Sequence, residues 1–123
     1  MTKGKVLSFK NAFEGIWVAL KEQDNLKFHL ILAGLAISLG TIFNITQTEW
    51  LLLTLTIGLV ICLELTNTAI EEVVNSFTDK IHPSAKKAKD VAAGAVLVGA
   101  LTATIVGTII FLPYFLNLLF FFV

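Results

Sequence analysis

Residues 50–75 read WLLLTLTIGLVICLELTNTAIEEVVN, and how they sit relative to a bilayer decides the fold. The first 14, Trp50 to Leu63, carry no charge; Glu64 stands directly on that apolar run, and Glu71 follows seven residues later. At about 1.5 Å per residue the uncharged stretch covers roughly 21 Å, too little to cross a hydrocarbon core about 30 Å thick. A span that starts outside at Trp50 and runs to about Val74 leaves Glu64 short of the inner boundary. Glu71 then lies about 10 Å further on, near the headgroups. Each residue turns the helix by about 100°, so relative to Glu64, Asn67 lies near about −60°, Thr68 near about +40°, Glu71 near about −20° and Asn75 near about +20°. These positions form one polar stripe from lipid depth to water. Ala69, Ile70, Val73 and Val74 occupy other faces, and Glu72 fits a solvated headgroup position. A carboxylate inside a membrane segment marks a functional site by default. For Asn67 and Thr68 the plainer reading is polar glue between spans.

The composition agrees with a membrane. The 123 residues suffice for one domain, yet 56% are hydrophobic and only 15% charged. A soluble domain of this size cannot hide so much apolar surface in one core. The net charge is zero, so the overall charge argues for no acidic partner such as nucleic acid. The single cysteine, Cys62, excludes an internal disulfide and a thiol-pair metal site. Lys3 and Lys5 imitate the charged start of a signal peptide, but the residues after them are interrupted by charge, and none is expected.

Working outward from residues 50–75, apolar positions over about 6–22 (Val6, Phe9, Phe13, Ile16, Trp17, Leu20) recur in steps of three and four. They predict an amphipathic helix lying in the membrane interface, with Trp17 suited to that depth. A first span is expected over about 26–45, a second over 50–74 and a third over 91–112. Pro113 is expected to interrupt the last and leave an apolar tail, 113–123. All nine basic residues are lysines, and all fall before or at the start of span one or between spans two and three. The positive-inside rule makes that side cytoplasmic, with the C-terminus outside. The predicted fold is therefore an all-α integral membrane domain over 1–123, one surface helix plus three transmembrane helices. Since three spans alone would leave the polar stripe facing lipid, an oligomer is expected.

A second cluster, HPSAKKAKD at 82–90, precedes span three. If Pro83 opens that helix, Lys86, Lys87 and Lys89 crowd its positive dipole end, a conflict that an arriving phosphate would relieve. The plainer reading is that these lysines bind anionic headgroups and hold the topology. Lys89 and Asp90 lie closest to the membrane and suit catalysis better.

Taken together, ELTNTAIEEVVN and HPSAKKAKDVAAGAVLV resemble the small prokaryotic diacylglycerol kinase family, which includes the undecaprenol kinases. The resemblance extends along the chain through NLKFHL and TEWLLL, and HPSAKKAKD is more similar to the undecaprenol branch. It implies an enzyme of the bacterial cytoplasmic membrane, a homotrimer with sites shared between subunits. Such an enzyme moves the γ-phosphoryl group of ATP to the primary hydroxyl of diacylglycerol or undecaprenol, with Mg²⁺. By the same resemblance Glu64 is the general base, Glu71 a metal-binding carboxylate and Asn67 a supporting residue. Lys89 and Asp90 engage the ATP phosphates, with His82 near the nucleotide. Three positions depart from the family pattern. Gln23 stands where a second metal-ligand glutamate is usual, with Glu22 one residue away; Asn75 replaces an Asp; and Asn11 replaces a tyrosine near the nucleotide. Two alternatives stay open on the residues alone: a small transporter with Glu64 as carrier site, and a catalytically weak or inactive membrane subunit of the same fold. The lysines beside the carboxylates are awkward for cation transport.

Overall fold

A computed structural model describes residues 3–77, 80 and 82–121. Residues 78, 79 and 81, shortly before the 82–90 cluster, lie outside the described residues, as do 1, 2, 122 and 123 and the Val6 side chain of the expected stripe. The chain is helical, with α1 (Lys3–Glu22), α2 (Asp24–Phe43), α3 (Gln47–Phe77) and α4 (Pro83–Phe121), and has no strand among the described residues. Three of these, α2, α3 and α4, are long and apolar enough to cross a membrane. At 20 residues α2 matches one hydrocarbon thickness, whereas α3 with 31 and α4 with 39 run well past it.

The helix ends follow from local chemistry. Gln23 breaks α1 from α2 with an extended backbone, φ −109° and ψ 107°. Asn44 ends α2 in the left-handed region at φ 51°, a conformation Asn tolerates, and the Ile45 N–H returns to the Gly40 carbonyl at 3.1 Å. Helix α3 starts earlier than the expected second span at 50, because Thr46 and Glu49 form a capping box that starts it at Gln47. The Thr46 N–H donates to Glu49 Oε2 at 2.8 Å, and the Glu49 N–H donates to Thr46 Oγ1 at 3.3 Å. Pro83 is the first residue of α4.

The expected interruption at Pro113 does not occur: α4 continues through it to Phe121. Proline removes one helical hydrogen bond, but packing on both sides of it holds the segment in line. Phe43 of α2 stacks on Tyr114 at 5.5 Å between centroids and meets Phe115 edge-on at 4.9 Å. The Tyr114 hydroxyl donates to Glu49 Oε2 at 2.7 Å, which ties α4 to the start of α3. Ile45, Leu53, Ile110 and Phe111 form a buried cluster at this end. The hydroxyls of Thr56, Thr66, Thr68, Thr102, Thr104 and Thr108 donate to carbonyls one turn back, so polar residues are satisfied within otherwise apolar helices.

Two glycines set how closely the helices approach. A Cβ on Gly40 would stand 2.9 Å from Trp50 Cη2 and 3.0 Å from Ile45 Cδ1; one on Gly99 would stand 2.6 Å from Leu63 Cδ1. The Trp50 ring is rigid, whereas the Leu63 arm can rotate. Gly40→Ala gains up to about 1 kcal/mol of helix propensity but overpacks at a cost of about 1–3 kcal/mol. A lower thermal midpoint in detergent is expected, with a smaller drop for Gly99→Ala. A Gly40→Ala midpoint at or above that of the parent would contradict this packing.

Candidate active site

Helices α3 and α4 pair antiparallel. Lys89 meets Asn75 at one end, Gly99 packs on Leu63 in the middle, and Tyr114 bonds Glu49 at the other end. Helix α2 lies against the same bundle, with His29 beside Glu64 and Gly40 beside Trp50. The polar stripe of α3 therefore lies toward the lysine-bearing end.

Glu64 is only 3% exposed, the one charged side chain so deeply buried among the described residues. Removing a carboxylate from water is costly unless it is paired. The partner is His29 of α2, whose Nε2 lies 3.3 Å from Glu64 Oε1. One turn along α3, Asn67 Nδ2 donates to Glu71 Oε1 at 3.2 Å, while the buried Asn67 Oδ1 has no partner. The Thr68 hydroxyl bonds the Glu64 backbone carbonyl at 3.0 Å, as polar glue within the helix. Glu71 is half-buried and Asn75 exposed, so the stripe runs from a buried acid to open surface as the 100° rotation implies.

Helix α4 contributes less symmetrically than its sequence implies. Lys89 Nζ donates to Asn75 Oδ1 at 2.8 Å, joining α4 to the stripe. Asp90 does not pair with its neighbour Lys89 but with Lys86, one turn back. Adjacent residues diverge around a helix, whereas those four apart share a face. His82 precedes α4, and its Nδ1 accepts the Ser84 N–H at 3.2 Å. Gln23 is half-buried at the elbow between α1 and α2, and Glu22 and Asn11 are exposed on α1. Among the described residues no hydrogen bond or ion pair joins these three to Glu71, and no group of three or more His, Cys, Asp or Glu is assembled for a metal.

An apolar cavity of about 530 Å³ lies between α2, α3 and α4, from Phe28 and His29 at one end to Leu39, Leu53 and Phe111 at the other. His29 is not among the site residues to which the sequence points. The available signal was a histidine one turn inside an apolar helix, without any indication of what it would face.

Three apolar spans around a single buried acid, with a cation and further carboxylates toward one end, define an integral membrane protein with an acidic site at one end of its bundle. Residues 10–111 match the protein family described as prokaryotic diacylglycerol kinase. The chain is 45% identical over 106 residues to an undecaprenol kinase of Bacillus subtilis, covering 86% of each protein. It is 38% identical over 115 residues to a diacylglycerol kinase of Synechocystis sp., covering 93% of this chain and 66% of that one. With a diacylglycerol kinase of Helicobacter pylori it shares 37% over 100 residues, 79% of this chain and 78% of the relative. The chain belongs to the prokaryotic diacylglycerol kinase family and is a membrane lipid kinase.

Proposed function

We propose that the chain transfers the γ-phosphoryl group of ATP to the primary hydroxyl of a membrane lipid, with Glu64 as general base. The observation that carries this is the burial of Glu64 on the same face of α3 as the half-buried Glu71. A lipid hydroxyl reaches the first from the bilayer, and a nucleotide reaches the second from water. Glu64 accepts the hydroxyl proton, the lipid oxygen bonds to the γ-phosphorus, and the bond to the bridging oxygen breaks to release ADP. Lys89, the α4 cation that faces α3, offsets charge on the phosphates, with Asn75 orienting the lysine and with Asp90 and His82 as further residues of the nucleotide site.

The oxygen donors fit Mg²⁺, which takes one or two carboxylates together with phosphates and water. Glu71 and the unpartnered Asn67 Oδ1 would hold it; Gln23, or Glu22 in its place, would add a further oxygen. When bound, the ion neutralises charge on the phosphates.

Around that site, the chain is a single domain in the bacterial cytoplasmic membrane with its lysine-bearing end in the cytoplasm. Helix α1 lies in the interface. Phe9, Phe13 and Trp17 are exposed on it, and the Lys21 ammonium stands 5.1 Å from the Trp17 ring. Homotrimers with shared sites complete the enzyme. One subunit leaves most large apolar side chains uncovered and brings Gln23, Glu22 and Asn11 to no bond with Glu71.

The acceptor we favour is undecaprenol. The relative named for that activity shares 45% identity, against 38% and 37% for those named for diacylglycerol. Purified protein with labelled ATP, Mg²⁺ and each lipid separately tests both statements. Label is expected in both lipid extracts or in undecaprenol alone, with undecaprenol the faster. Faster labelling of diacylglycerol overturns the acceptor, and label in neither overturns the activity.

A further inference from the structure

We infer that His29 is a positioning residue for Glu64: an Nε2–H donated to Oε1 fixes the carboxylate so that its other oxygen faces the acceptor hydroxyl. The inference rests on the reading of Glu64 as base and adds a residue of a different helix to it.

An ionised carboxylate only accepts hydrogen bonds, so the 3.3 Å contact is favourable only when Nε2 carries a hydrogen. Both side chains are removed from water, His29 at 16% and Glu64 at 3% exposed, so neither partner has solvent as a ready substitute. Lys27, two positions from His29, and two lysines of α4 are committed elsewhere. Lys27 pairs with Asp24 at 2.9 Å, Lys86 with Asp90, and Lys89 bonds Asn75. Histidine suits this depth because it can donate while neutral, where lysine would bring a second buried charge.

His29 also stands in the wall of the apolar cavity between α2, α3 and α4. The hydroxyls of Thr56 and Thr104 in the same wall are spent on carbonyls of their own helices. The imidazole is thus the polar end of that space, where α2 meets α3 at Glu64. A base held in one orientation acts on a hydroxyl far better than one free to rotate.

The test compares His29→Leu, His29→Gln and His29→Asn in the purified full-length protein, reading kcat and lipid KM. The glutamine amide reaches as far as Nε2, and the asparagine amide only as far as Nδ1. His29→Leu is expected to lower kcat about 10–100-fold with lipid KM within about twofold. His29→Gln recovers much of the loss and His29→Asn little. In a Glu64→Gln background, His29→Leu is expected to slow the residual rate no further. A role in packing alone would make Gln as slow as Leu and Asn, and that result overturns the inference, as does parental kcat in His29→Leu. If His29→Leu fails to fold, the order of Gln over Asn still decides. Loss of turnover in Glu64→Gln with normal His29 variants removes only this inference. Parental turnover in Glu64→Gln removes the base assignment and this inference with it.

Discussion

Glu64→Gln is expected to lose most lipid phosphorylation while the bundle stays intact. The substitution keeps the size of the side chain and an oxygen at the position that lies 3.3 Å from His29 Nε2, so packing and the α2–α3 contact survive. What it removes is the ability to take a proton. General-base catalysis contributes about 10²–10⁴-fold, and a loss in that range is expected. Stability should change little or rise, because a buried carboxylate is exchanged for a neutral amide at the same contact. Initial rates of labelled phosphate entering extracted lipid, measured beside the thermal midpoint of the same preparation, check both halves. Parental turnover would end the assignment of Glu64 as base. A collapsed midpoint would mean that the buried acid serves the fold instead.

The second large effect concerns the other end of the stripe. Glu71→Gln keeps an oxygen for the Asn67 amide, now bonded at 3.2 Å, and removes a charge. With Glu71 as the carboxylate that holds Mg²⁺, the rate at low free Mg²⁺ should fall on the order of 10²-fold. The Mg²⁺ concentration for half-maximal rate should rise, and excess Mg²⁺ should restore part of the activity. Glu64→Gln, by contrast, should be slow at every Mg²⁺ concentration with an unshifted midpoint. A titration of initial rate against free Mg²⁺ for the parent and both variants separates the two roles. A Glu71→Gln curve that overlays the parent would show that Glu71 binds no catalytic ion.

The helices and the stripe were legible because both are local. An apolar run of about 20 residues has few folded forms other than a spanning helix, and a fixed rotation of about 100° per residue puts Glu64, Asn67, Glu71 and Asn75 on one face wherever that helix goes. The break between α2 and α3 is equally local, since its capping residues lie within a few positions of one another. Composition misjudged Pro113: proline breaks a helix in isolation, but Phe43 and Glu49, more than 60 positions away, hold Tyr114 and Phe115 in line with α4. That Asp90 pairs with Lys86 and Lys89 with Asn75 was not legible from the adjacency of Lys89 and Asp90, because neighbours in the chain do not share a helix face.

Membrane residence, the number of spans and the polar stripe of α3 were thus determined by the order of residues, since each depends on hydropathy and on the geometry of a single helix. The partner of Glu64, the bridge from Lys89 to Asn75 and the passage of α4 through Pro113 were decided by tertiary structure. They depend on which faces meet when α2, α3 and α4 close on one another at Gly40 and Gly99, and no property of one helix contains that information.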